Sequence, residues 1–231
     1  MHVIQKKTFS DIDTCAKVLA NDIADTLRQI LLSQKSIFMA LSGGKTPKYV
    51  LPYLANAADI NWANVTITLT DERCVSLEDK RSNEQLIRRK FLTQDLIKAH
   101  FFGLWRDHSS LDEQILQINN RFKQVAQPLD IVYLGMGEDG HIASLFPNQS
   151  INAFQAPGCF FVSGVAPVQP KKRISLSIDT ILNARCIFLQ LGGPQKRATY
   201  EKARAENPTP LLPVSLILSK KHPGLRVYMV D

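Results

Sequence analysis

The chain holds 231 residues, and its 28 lysines and arginines exceed its 21 aspartates and glutamates to give a formal net charge of +7. That length excludes a mini-protein and argues against more than two domains, which usually hold about 100–200 residues each. Hydrophobic content of 45 % and charged content of 21 % exclude a disordered or collagen-like chain, and no apolar run reaches the roughly 18–20 residues of a membrane span.

In chain order, short β-branched apolar runs alternate with longer stretches of helical period, the pattern of strands and crossover helices in an α/β sheet. Residues 11–33 come first as a helix. Ile12, Cys15, Val18, Leu19, Ile23, Leu27, Ile30 and Leu31 form its apolar stripe, opened by a Ser10 or Asp11 cap. Strands are predicted over 36–41, 65–70, 130–135, 160–164, 173–178, 186–191 and 225–230. The remaining helices are predicted over 46–56, 82–92, 111–126, 179–183, 194–204 and 213–220, the last with Pro213 in its first turn. No repeat or low-complexity tract interrupts this order, so residues 1–231 read as a single α/β domain. The Pro-, Gln- and Asn-rich stretch 148–172 fits a domain boundary and a long active-site loop equally well, and the loop within one domain is preferred.

The charge is uneven. Residues 1–150 carry 17 basic and 17 acidic side chains, whereas residues 151–231 carry 11 basic and 4 acidic. The last third therefore meets an anion, which charge alone leaves open between nucleic acid, a membrane surface and a small phosphorylated substrate. Cys15, Cys74, Cys159 and Cys186 lie far apart and are expected to be free thiols. The histidines His2, His100, His108, His141 and His222 form no metal-ligand spacing, so neither metal nor cofactor is expected. The N-terminus MHVIQKKTFSDID lacks a signal-peptide pattern, and a cytoplasmic location is expected.

Three strand-end loops carry the chemistry. Ser42-Gly43-Gly44-Lys45-Thr46-Pro47 follows the run SIFMAL and precedes a helix. Glycines there let backbone N–H groups approach a phosphate, and the helix N-terminus adds partial positive charge. A tight strand-to-helix turn explains the same residues. Thr70-Asp71-Glu72-Arg73 closes VTITLT, with Ser82-Asn83 downstream. Carboxylates and an arginine on a fixed strand end suit acid/base or orienting work, though a surface ion network also fits. Gly135-Met136-Gly137-Glu138-Asp139-Gly140-His141 follows DIVYL, and its glycines bend the backbone to deliver a histidine, the side chain that titrates nearest neutral pH. Asp139 either fixes the tautomer of His141 or caps the turn. In the basic last third, Arg173 opens RISLSI and Lys196 follows Gly192-Gly193-Pro194-Gln195. Both suit phosphate binding, whereas Lys171, Lys172 and Arg197 read as solvated charge.

In this order, SGGKTP, DER with SN, GMGEDGHIASLFP, an arginine-started strand and GGPQK together resemble the 6-phosphogluconolactonases, within the wider glucosamine-6-phosphate isomerase/deaminase-like group. The resemblance runs from about residue 10 to the C-terminus. It implies a Rossmann-like α/β fold, with a mainly parallel sheet flanked by helices on both faces, and hydrolysis of 6-phospho-D-glucono-1,5-lactone to 6-phosphogluconate in the pentose phosphate pathway. The deaminase branch usually reads DGHIAFNEP, where this chain has Ser144-Leu145-Phe146, and has an aromatic where this chain has Arg73. Both differences favour the lactonase. GGPQK departs from the usual TG-type turn before the family lysine, as Cys74 departs after DER.

The resemblance implies that His141 activates water and then protonates the leaving ring oxygen, with Asp71 or Asp139 orienting it and Arg73 either polarising the carbonyl, and so stabilising the oxyanion, or holding sugar hydroxyls. Ser42, Gly43, Gly44, Thr46, Arg173 and Lys196 would hold the substrate phosphate. The expected partner is a small sugar phosphate, with no nucleic acid and no membrane. Alternatives are an amino-sugar-phosphate isomerase or deaminase, a sugar-phosphate sensor without turnover, and nucleic-acid binding motivated by the isoelectric point near 9.3. Oligomeric state is not legible.

Overall fold

The computed structural model describes residues 4–93, 96, 98–107, 110–125, 128–149, 154, 156–220 and 222–231. His2, His108, Lys221 and part of the 148–172 stretch lie outside them.

The first helix, α1 (Ile12–Leu31), forms as its stripe requires. Asp11 caps it by accepting from the Thr14 amide at 2.8 Å, and Cys15, Leu19, Ile23, Leu27 and Ile30 are buried together with Ala16, Ala20 and Ala24. Each large aliphatic side chain so buried contributes about 2 kcal/mol. The strands β1 (Gln5–Phe9), β2 (Ile37–Leu41), β3 (Val65–Leu69), β5 (His100–Phe102), β6 (Ile131–Gly135), β9 (Cys186–Gly192) and β10 (Leu225–Val230) form one parallel sheet in the order β1-β10-β9-β6-β2-β3-β5. β2 is buried at every position and β6 at all but its last, as expected when helices cover both faces of a parallel sheet. Further helices among the described residues are α2 (Pro47–Ala55), α3 (Asn83–Lys90), α4 (Leu111–Val125), α5 (Ile178–Leu182), α6 (Pro194–Ala205) and α7 (Val214–Ser219). All lie within a few residues of their predicted ranges.

Strand order places the site. From β2 the chain steps outward through β3 to β5, then returns to β6 on the other side of β2. This reversal opens a crevice at the carboxyl ends of β2 and β6, the position where open α/β sheets bind ligands.

Two predicted strands belong elsewhere. β7 (Phe161–Val165) and β8 (Lys172–Leu176) join β4 (Asp71–Arg73) in a separate antiparallel sheet ordered β4-β8-β7. The predicted strand 173–178 also ends early. Ser177 accepts from the Thr180 amide at 3.2 Å and starts α5, so Ile178 is helical. Three strands escaped prediction: β1, an exposed polar edge; β5, three residues long; and β4, three charged residues with little intrinsic strand preference. All four cysteines are free.

Candidate active site

Ser42, Gly43, Gly44 and Thr46 lie where β2 feeds α2. A Cβ on Gly43 would fall 2.0 Å from Asn83 Oδ1, so only glycine lets the loop lie against that amide, and Gly44 takes φ +100. Thr46 occupies the N-cap of α2 without using its side chain as a cap. Pro47 brings no N–H and the Tyr49 amide donates to the Thr46 carbonyl at 3.1 Å, so the helix start offers an incoming anion mainly its partial positive charge.

The loop after β6 closes on itself. The Gly137 amide donates to the His141 carbonyl at 2.9 Å, and the Gly140 amide donates to the Gly137 carbonyl at 3.1 Å. This brings His141 Nδ1 to 2.6 Å from Asp139 Oδ1, which also accepts from the His141 amide at 3.1 Å. Burial alone would raise the Asp139 pKa, but its hydrogen bonds to His141 and the nearby imidazole outweigh burial and hold it below the usual carboxylate range. An ionised carboxylate only accepts, so Nδ1 carries the proton and Nε2 is the basic nitrogen of the neutral ring. The ring also packs against Phe146, centroids 4.7 Å apart. Ala143, just beyond, has φ 49, a left-handed conformation that costs about 1 kcal/mol in a non-glycine residue.

A Cβ at Gly137 would meet His141 Nδ1 at 2.1 Å and Asp139 Oδ1 at 2.6 Å. Gly137→Ala is therefore expected to separate the pair, lowering kcat while the protein keeps its native circular dichroism. Unchanged turnover would show that the 2.6 Å contact is dispensable.

Asp71 serves a different set of partners from Asp139. Its Oδ2 accepts from Ser144 Oγ at 2.6 Å, and its Oδ1 accepts from Asn83 Nδ2 at 3.2 Å and Thr70 Oγ1 at 3.4 Å. The choice left open by sequence is settled geometrically: Asp139 is the carboxylate bound to His141. Neighbouring Glu72 is turned into the protein, where it accepts from the amides of Arg73, Asn83 and Glu84, each at 2.7 Å, and from Ser82 Oγ at 3.1 Å. It fixes the start of α3 to the end of β4. Burial nevertheless pushes its carboxyl above the ordinary range, against the pull of those amides.

Arg73 and Arg173 stand directly opposite each other across the β4–β8 ladder. Like charges so placed are destabilising. Arg73 Nη1 donates to the Arg81 carbonyl, but the Nε of each arginine is buried without a partner. Burial, and then the Arg73 charge, lower the Arg173 pKa. Lys196, in the first turn of α6, is likewise lowered by burial, with Lys45 adding to the effect and Glu138 and Asp139 opposing it. Gly193 precedes it at φ +89, with Pro194 starting the helix. The result is a group of cations short of an anion.

These groups line one cleft of about 350 Å³, within the usual range of small-molecule sites. All ten sequence-predicted site residues border it: Ser42, Gly43, Gly44 and Thr46 after β2, Asp71 and Arg73 on β4, Asp139 and His141 after β6, Arg173 on β8 and Lys196 on α6. A larger hollow of about 820 Å³ beside the C-terminus of α1 is shallower, lined by Leu31, Leu32, Asn61 and Asn64 among others. Its charged lining is Arg28, Lys35 and Asp59, with no histidine, and Arg28 is engaged by Asp25 and the Ala58 carbonyl. Sequence reasoning missed three contributors: Asn83, Ser144, and the β7–β8 hairpin, whose Ala166, Pro167 and Val168 form part of the wall. Asn83 had a signal in the SN pair after DER; the hairpin had none beyond its length.

Fold and cleft define a Rossmann-like α/β protein with a histidine–aspartate pair and clustered cations at the carboxyl ends of its parallel strands. The family of glucosamine-6-phosphate isomerases/6-phosphogluconolactonase matches residues 10–227, and the chain belongs to that family. A 6-phosphogluconolactonase of Pseudomonas putida is 34 % identical over 224 residues, covering 95 % of this chain and 90 % of the relative. That of Pseudomonas aeruginosa is 32 % identical over 208 residues, covering 88 % and 86 %. The crystal structure of a 6-phosphogluconolactonase from Shewanella baltica superposes with a TM-score of 0.93 at 30 % identity, covering 99 % of this chain and 98 % of that one.

Proposed function

We propose that this chain hydrolyses 6-phospho-D-glucono-1,5-lactone to 6-phosphogluconate, working as one α/β unit in the cytoplasm. The observation that carries the reading is the 2.6 Å contact between His141 Nδ1 and Asp139, which leaves Nε2 as an acceptor in a cleft that also holds two guanidinium groups whose Nε atoms have no partner. Nε2 takes a proton from water as the oxygen attacks the lactone carbonyl. The resulting imidazolium, supported by Asp139, returns that proton to the ring oxygen as the C–O bond breaks. Such acid–base work supplies about 10²–10⁴-fold in rate. Arg73 stabilises the negative charge gathering on the carbonyl oxygen. Ser42, Thr46, the amides of Gly43 and Gly44, Arg173 and Lys196 hold the phosphate, combining a helix N-terminus with point and planar cations. Asp71 anchors Ser144 and Asn83 along the wall.

A pH-controlled assay of lactone hydrolysis tests the proposal, with release faster than spontaneous opening as the expected result. Ammonia release from glucosamine 6-phosphate without lactone hydrolysis would move the chain to the deaminase branch. The position where that branch carries glutamate belongs here to the Ser144-Leu145-Phe146 stretch; Leu145 is buried and Phe146 packs on His141, which supports the lactonase reading.

A further inference from the structure

Among the donors that crowd the cleft stands a buried acceptor without a partner. Asn83, the first residue of α3, is 2 % exposed and lines the cleft. Its Nδ2 donates to the Asp71 backbone carbonyl at 2.8 Å and to Asp71 Oδ1 at 3.2 Å. A carbonyl and a carboxylate accept only, so the amide has one permitted orientation and Oδ1 is the atom left over. Oδ1 is buried with no hydrogen-bond partner, a costly state for a carbonyl oxygen that calls for an explanation. It occupies the space a side chain at position 43 would fill, 2.0 Å from where a Cβ would lie. The rest of the residue is held firmly. Its own amide donates to Glu72 Oε1 at 2.7 Å, and Asp71 is fixed from the other side by Ser144 Oγ at 2.6 Å.

An acceptor repels phosphate and carbonyl oxygens and attracts an O–H. Arg73, Arg173 and Lys196 serve the anionic parts of the ligand, so this atom serves its hydroxyls. We propose that Asn83 is a specificity-determining residue, its Oδ1 accepting a hydrogen bond from one ring hydroxyl of the bound lactone. The assignment deepens the function proposed above and rests on it. A site built to bond a hydroxyl discriminates against the analogue that lacks it, because its buried polar atom is then left unpaired.

The experiment crosses Asn83→Ala with 6-phosphogluconolactone and its 2-deoxy, 3-deoxy and 4-deoxy counterparts, measuring kcat/KM for each pair. On the parent lactone the variant is expected to lose about tenfold. On one monodeoxy lactone the wild type already shows the corresponding loss and the substitution adds little. Equal losses on all four substrates would reduce Asn83 to a purely structural residue and overturn the assignment while leaving the function intact. Failure of the wild type to hydrolyse any of the lactones would overturn the function and the assignment together. Should the alanine variant not fold, Asn83→Ser, which shortens the polar reach, is expected to give the same substrate-selective pattern.

Discussion

Replacing His141 with alanine is expected to lower kcat by about 10²–10⁴-fold while changing KM little. The ring's Nδ1 is committed to Asp139 at 2.6 Å, so its contribution lies in proton transfer at Nε2 rather than in holding the ground state. Asp139→Asn is expected to fall in the same direction by a smaller factor. An asparagine turned with its NH₂ toward Nδ1 would favour the other tautomer and place the proton on Nε2, where a base is needed. Steady-state kinetics at fixed pH, corrected for spontaneous opening, separates the two constants. Near wild-type kcat in His141→Ala would remove the histidine from the chemical step. A raised KM with unchanged kcat would make it a binding residue instead.

The second large effect concerns Arg173, and its two parts have opposite signs. Arg173→Met is expected to raise KM by roughly 10- to 100-fold, since a charge-assisted hydrogen bond is worth about 1.5–3 kcal/mol. The same substitution is expected to stabilise the unliganded protein. Arg173 is 6 % exposed, lies opposite Arg73 and has a buried, unpartnered Nε. Burial and Arg73 together outweigh the attraction of Asp71, Cys74 and Glu72 in setting its lowered pKa, so the fold disfavours this cation. An apolar chain of similar length removes that cost and keeps the packing. A gain of about 1 kcal/mol would raise Tm by roughly 2–4 °C in a chain of this size. Thermal unfolding without ligand and KM from initial rates test the two halves separately. Unchanged KM would misplace the phosphate site, and a lowered Tm would mean that the neighbouring acids dominate. Loss of stability for the sake of an unpaired cation is the trade expected where a site is kept ready for an anion.

The same arginines show where local reading stops. The apolar stripe of α1, the buried runs of β2 and β6, and the glycines at 43, 44, 137 and 140 are all written within a few neighbouring residues. Periodicity and backbone freedom act over that range, and those features appear where they were expected. β4 is different. The segment Asp71-Glu72-Arg73 becomes a strand because β8, distant in the chain, pairs with it. β1 is a polar edge strand tied by its parallel ladder to β10. The strands β7 and β8, predicted as strands without an assigned sheet, join β4 in a second antiparallel sheet that carries Arg173 to the cleft from the side.

Tertiary structure also divides the uneven charge. The basic excess of the last third is spread over exposed Lys171, Lys172, Lys202 and Lys220, while two of its members, Arg173 and Lys196, border the cleft. By itself the sequence determined the α/β alternation, the three strand-end loops and the identity of the histidine, because each depends on short-range pattern and on backbone conformations that few residues can adopt. Only the tertiary structure decided that Asp139 rather than Asp71 holds His141, that Arg73 faces Arg173, and that Asn83 is left with an unpaired oxygen. Those facts depend on strand register and on competition among hydrogen-bond partners remote in sequence, which are resolved only when the two sheets pack together.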